Sequence, residues 1–116
     1  MIIRHYADVE AVEMMEGVKK RVVIGEKEGA PNFIMRIFDL EPGASSPLHE
    51  HPWEHEIFVL EGRAVARNSE GVETPIREGD TIFIPPGEEH CLTNRGEGAF
   101  RFMCLIPTGA EPAPPQ

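Results

Sequence analysis

Short apolar segments alternate with glycine- and proline-bearing breaks along most of the chain. In order they are VKKRVVIG (18–25), NFIMRIFDL (32–40), HEIFVLEG (55–62), RAVARNS (63–69), ETPIREG (73–79), DTIFIPP (80–86), HCLTN (90–94) and AFRFMCLIP (99–107). The breaks include Gly29-Ala30-Pro31, Glu41-Pro42-Gly43, Glu70-Gly71, Pro85-Pro86-Gly87 and Arg95-Gly96-Glu97-Gly98. Runs rich in β-branched and aromatic residues, bounded by turn formers, predict short strands. Strands at this spacing predict an all-β domain, a sandwich or a small barrel whose closure removes exposed edges.

Two segments fall outside this pattern. DVEAVEMMEG (8–17) places Val9, Val12 and Met15 at three-to-four spacing and stops at Gly17, which predicts a helical turn or an extended arm. PTGAEPAPPQ (107–116) is rich in proline and poor in packing residues, so it predicts an extended, mobile tail. The expected organisation is an N-terminal arm (1–17), one β-barrel (18–107) and a flexible proline-rich tail (108–116).

Two strands look apolar on both faces. NFIMRIFDL divides into Phe33, Met35 and Ile37 against Ile34, Phe38 and Leu40 with Arg36. AFRFMCLIP divides into Phe100, Phe102, Cys104 and Ile106 against Met103 and Leu105 with Arg101. An antiparallel strand with one wet face alternates more cleanly. The pattern predicts sheet-on-sheet packing inside and a homodimer contact outside.

Composition narrows the function classes. Twenty acidic residues against eleven basic ones give a net charge of −9. That balance works against nucleic-acid binding, which draws on lysine and arginine at phosphates. The one basic cluster, Lys19-Lys20-Arg21, reads as the solvated side or end of a strand. No apolar run approaches the ~20 residues of a membrane helix. MIIRHYADVE has no apolar signal core, so the expectation is a soluble, cytoplasmic protein. Cys91 and Cys104 lack metal-knuckle spacing and read as free thiols.

The chemistry concentrates in histidine. PLHEHPWEHEIFVLEG (47–62) holds three of the chain's five histidines. Residues two apart on a strand share a face, so His49 and His51 point together. Pro52 interrupts the pairing. Beyond it, His55, Ile57 and Val59 share one face and Glu56, Phe58 and Leu60 the other. If Ile57 and Val59 face a barrel interior, His55 enters at its mouth and three imidazoles converge. His90 follows a proline-rich turn at the start of another strand, where an adjacent hairpin sets it opposite the first three. His5 stands apart.

GASSPLHEHPWEHEIFVLEG (43–62) resembles the first motif of the cupin superfamily. GDTIFIPPGEEHCLTN (79–94) resembles the second, with Gly79, Pro85, Gly87, His90 and Asn94 all in place. With about 16 residues between the motifs, the chain resembles a minimal single-domain cupin. Arg21–Gly25, residues 30–38 and residues 102–107 extend the likeness to the small manganese-binding cupins of thermophilic bacteria. The resemblance implies a double-stranded β-helix, or jelly roll, and one departure stands out. With six residues between it and Gly62 stands His55, where most relatives place a glutamate; Glu56 is one residue later and on the opposite face. A histidine also fills that position in the manganese cupins, so the resemblance implies a four-histidine centre on His49, His51, His55 and His90. Glu54 is a candidate hydrogen-bond partner behind it.

Imidazoles alone do not choose among Mn, Fe, Ni, Cu and Zn; the resemblance implies manganese, with iron next. Strand parity adds Phe102 and Cys104 as candidate cavity residues and Trp53 at the mouth. Arg36 either holds a substrate carboxylate or pairs at a dimer contact. Two open positions on a six-coordinate ion suit a dioxygenase or peroxide-driven oxidation of a small organic substrate. The alternatives are a non-redox isomerase, epimerase or decarboxylase, and a binding module without turnover. The non-redox reading calls for an acid or base near the metal, and no inward-facing lysine or tyrosine is evident from the strand pattern.

Overall fold

The computed structural model describes residues 1–110; the remainder of the expected tail lies outside the described residues. A three-ten turn, Tyr6–Asp8, precedes nine strands among the described residues: β1 (Val12–Met15), β2 (Val18–Ile24), β3 (Phe33–Leu40), β4 (His55–Glu61), β5 (Arg63–Arg67), β6 (Glu73–Arg77), β7 (Thr81–Ile84), β8 (Cys91–Thr93) and β9 (Phe100–Pro107). Two antiparallel sheets result. One has the order β1-β2-β3-β9-β4-β7, and the other β6-β5-β8. They pack as an all-β jelly-roll barrel. No helix among the described residues is long and apolar enough to cross a membrane.

Period-two alternation decides which side chains fill the barrel. Along β9, Phe100, Phe102, Cys104 and Ile106 are buried while their neighbours are half-buried. Along β4, His55, Ile57 and Val59 are buried while Glu56, Phe58 and Leu60 are exposed. The register of β3 on β9 sets Phe38 opposite Phe102 and Arg36 opposite Cys104. These pairs line the interior. Pro75, which cannot donate to a ladder, sits in β6 at a sheet edge.

Three expectations change. The helical reading of 8–17 fails: Val12–Met15 is a strand, hairpinned onto β2 through Gly17 at φ +79. Sheet pairing outweighs the weak helical spacing of a segment too short to hold a helix alone. Lys20 is not solvated. It is 3% exposed between buried Val18 and half-buried Val22, while Lys19 is exposed. The first residues of the expected tail are packed. Thr108 N donates to Asn32 O at 3.0 Å, and Ala110 is buried in the core.

The segment carrying the first two histidines is a loop held flat against β8. Gly43 N donates to Asn94 O, Asn94 N to Ala44 O, and Ser46 N to Leu92 O. Asn94 is fully buried. Its Nδ2 donates to Leu40 O and Gly98 O, and its Oδ1 accepts from Gly96 N. This one side chain ties the end of β3 to the loop that follows β8.

Candidate metal centre and cavity

His49 and His90 face each other across an antiparallel bridge, His90 N donating to His49 O at 2.9 Å and His49 N to His90 O at 3.2 Å. One turn away, Gly87 N donates to His51 O at 2.7 Å. Those bonds bring the loop after Pro47 against the loop before β8. His55 reaches the same place from the start of β4. The four rings then form a closed circuit. Centroids lie 4.5 Å apart for His49–His51, 5.4 Å for His51–His55, 5.0 Å for His55–His90 and 4.9 Å for His90–His49.

Those spacings fit four rings around one ion. A metal–nitrogen bond of ~2.1 Å sets ring centres about 4.5 Å apart at right angles and about 5.2 Å at the tetrahedral angle. The donor atoms are less well arranged: among the described residues, no three His, Cys, Asp or Glu donors stand at ion-holding spacing. Holding an ion on all four rings would require the rings to rotate. The donor set itself suits a cation. Burial first, then the neighbouring imidazoles and Arg36, push His49 down to about 4 and His55 down to about 3; burial also lowers His51. These rings are neutral at pH 7, with lone pairs available. His90 Nδ1 lies 2.8 Å from Glu88 O, and since a carbonyl only accepts, Nδ1 is the donor and Nε2 carries the lone pair. His55 Nδ1 is buried with no hydrogen-bond partner.

The rings line a cavity of about 140 Å³ inside the barrel. Its apolar wall includes Met14, Met15, Phe38, Phe102, Leu92 and Trp53. Phe38 stacks on Phe102 at 5.0 Å and 12°. Trp53 stacks on His51 at 4.5 Å and 9°, with its buried Nε1 lacking a hydrogen-bond partner. All four residues proposed from parity for the pocket, Phe102, Cys104, Arg36 and Trp53, line it. Arg36 faces inward, not toward a dimer contact: its guanidinium lies 4.9 Å over the Phe38 ring and donates to Cys104 Sγ at 3.1 Å. Glu56 is exposed and borders an outer-face hollow with Phe58 and Phe83. Glu54 is likewise exposed and borders a hollow with Asn32 and Phe33. His5 caps the three-ten turn through Nδ1. Both cysteines are free and buried.

The residue missed from sequence is Lys20, which lines the same cavity. A signal was present. Val18, Lys20 and Val22 share one strand parity, and the two valines argue for an inward face.

Residues 36–106 match the family described as Cupin domain. The chain is a cupin. The polyketide cyclase RemF from Streptomyces resistomycificus is similar to it at 34% identity, covering 98% of this cupin and 82% of that chain, with a TM-score of 0.87. An oxalate-binding protein from Thermotoga maritima is 38% identical over 58% of this chain and 55% of its own length. The tetracenomycin polyketide synthase protein TcmJ from Streptomyces glaucescens is 27% identical over 78% of this chain and 60% of its own. This cupin spans about half the length of the first curated relatives it matches. Their names differ in function, as expected of a fold that hosts many chemistries.

Proposed function

We propose that this cupin is a cytoplasmic, metal-dependent enzyme that activates a carbonyl group of a small organic substrate without oxidising it, in a cyclisation, isomerisation or decarboxylation. The observation that carries this reading is the shared cavity: two cationic side chains, Lys20 and Arg36, line the same chamber as four imidazoles. A divalent ion held by His49, His51, His55 and His90 would polarise a carbonyl oxygen or acidify a bound water. Manganese leads the candidates and iron follows, on the family resemblance. Lys20 and Arg36 set positive charge where an enolate or phenolate develops, which favours that charge in a water-poor site. Phe38, Phe102 and Trp53 exclude water and hold a planar substrate by ring contact. The likeness to a polyketide cyclase over nearly the whole chain supports the same class.

The oxidative reading keeps one supporting observation, the apolar wall beside the imidazoles, and product mass separates the two. Purified untagged protein should carry about one Mn or Fe per chain. With aromatic β-keto acids, the products should keep the substrate's mass or lose water or carbon dioxide, with no oxygen uptake at an electrode. Gain of one or two oxygen atoms would move the assignment to an oxygenase. Absence of any transition metal would remove the metal from the reading.

The same outer face that carries Glu56 presents Phe58 at 40% and Phe83 at 60% exposure, beside Met103 and Leu105. An apolar sheet face of this kind is covered by a second copy in this reading. Light scattering should give a dimer mass, and Phe83→Glu should shift it toward monomer. A wild-type monomer at tens of micromolar, roughly the range of weak dimers, would sink the dimer.

A further inference from the structure

We infer that the cavity takes a small aromatic carboxylic acid, its carboxylate held between Lys20 and Arg36 and its ring lying along Phe38 and Phe102. The inference rests on the proposed function only in taking this cavity as the substrate site.

Strand register places the two cations. Lys20 stands directly opposite Phe38 across β2 and β3, and Arg36 is two residues from Phe38 on the same strand and face. Lys20 and Arg36 are therefore diagonal neighbours, about 7–8 Å apart at the backbone. That separation lets two long side chains reach one carboxylate from either side. Between them lies the Phe38 ring, with Arg36 over one part of it and Phe102 stacked against it. An aromatic ring bound here continues an existing stack, while its acid group meets the charges that flank the stack.

Size and polarity narrow the ligand further. A cavity of about 140 Å³ matches one aromatic ring, since an engineered cavity of ~150 Å³ holds benzene. The same chamber is lined by the imidazoles and Trp53, whose buried Nε1 offers a hydrogen-bond donor to a ligand oxygen. The acid group thus anchors at the β2–β3 side, and a carbonyl or hydroxyl elsewhere on the ring faces the histidines. Lys20 is 3% exposed and lines this cavity rather than the solvent face. In this arrangement it is a specificity-determining residue.

Trp53 is the chain's single tryptophan and lies in the cavity, so its emission reports occupancy. The full chain is titrated with benzoate and with the neutral analogue benzamide, both as purified and after stripping by a chelator. Benzoate should bind about tenfold or more tightly than benzamide in both states. Lys20→Met and Arg36→Met should each weaken benzoate about tenfold and leave benzamide within about twofold. If Lys20→Met does not fold, Lys20→Arg must keep the preference while Arg36→Met lowers it. Equal affinity for the two ligands, or a preference untouched in the variants, overturns the inference. Loss of the preference on stripping the wild type also overturns it, because the ion rather than the two side chains would then hold the acid. A protein that never carries metal but still prefers benzoate would sink the metal reading and leave this one standing.

Discussion

His55→Ala should cut bound metal by more than about tenfold, whereas Glu56→Ala should leave it unchanged. Adjacent strand residues point to opposite faces, so only one of the two can reach the barrel interior. The burial along β4 decides which. His55 is 5% exposed, and Ile57 and Val59 follow it inward; Glu56 is exposed and opposes Phe83 and Leu105 on the outer face. Removing the His55 ring also opens the four-ring circuit between His51 and His90. His55→Glu should retain metal, because a carboxylate is a competent ligand, while lowering the positive charge left at the site. Metal content of untagged proteins, measured side by side, reads all three. If Glu56→Ala empties the site and His55→Ala does not, the ligand assignment is wrong.

The four histidines were legible because their positions follow from local rules. Two motifs at fixed spacing, a proline that breaks pairing and a two-residue period were enough to bring them to one place. The bridges between His49 and His90 and between Ser45 and Thr93 supply the long-range step. The inward face of β9 was legible for the same reason. Arg36 could be assigned to a strand but not to a destination, since both faces of that strand are apolar and either a substrate carboxylate or a dimer contact would suit it.

Other features were hidden by composition or length. Lys19-Lys20-Arg21 looks like a solvated cluster because charge suggests water. In a strand, however, the three residues divide between faces: Lys19 goes out, Lys20 goes in, and Arg21 pairs with Asp39 at 3.0 Å. Lysine's long stem makes such burial possible when its head reaches a polar chamber. β1 was hidden because four residues are too few for a period to declare itself. Only pairing with β2 gives it a direction, and that pairing brings Met14 and Met15 to the cavity wall. The non-redox reading gained its missing cation from a side chain that the strand period already contained.

Gly62→Ala should destabilise the protein by about 3 kcal/mol or more, lowering the melting temperature by roughly 10 °C. Gly62 is the junction at which the chain leaves β4 in the first sheet for β5 in the second. It has φ +88, a conformation L side chains rarely adopt. A Cβ there would also fall on the Ala99 carbonyl oxygen and come within 3.1 Å of Phe100 Cα. Both obstacles are backbone, and Phe100 is fully buried, so neither can yield by a rotamer change. Gly29→Ala provides the comparison. Its φ is +83, nearly the same, but nothing lies within 4 Å of the added Cβ. That variant should lose only the conformational part, about 1 kcal/mol. Thermal melts of the two proteins separate strain from overlap. If Gly62→Ala melts no lower than Gly29→Ala, close approach to the backbone at the start of β9 is not what requires glycine here. If it melts far lower, the glycine that ends the first histidine motif is held by backbone packing against the start of β9, seven residues beyond His55.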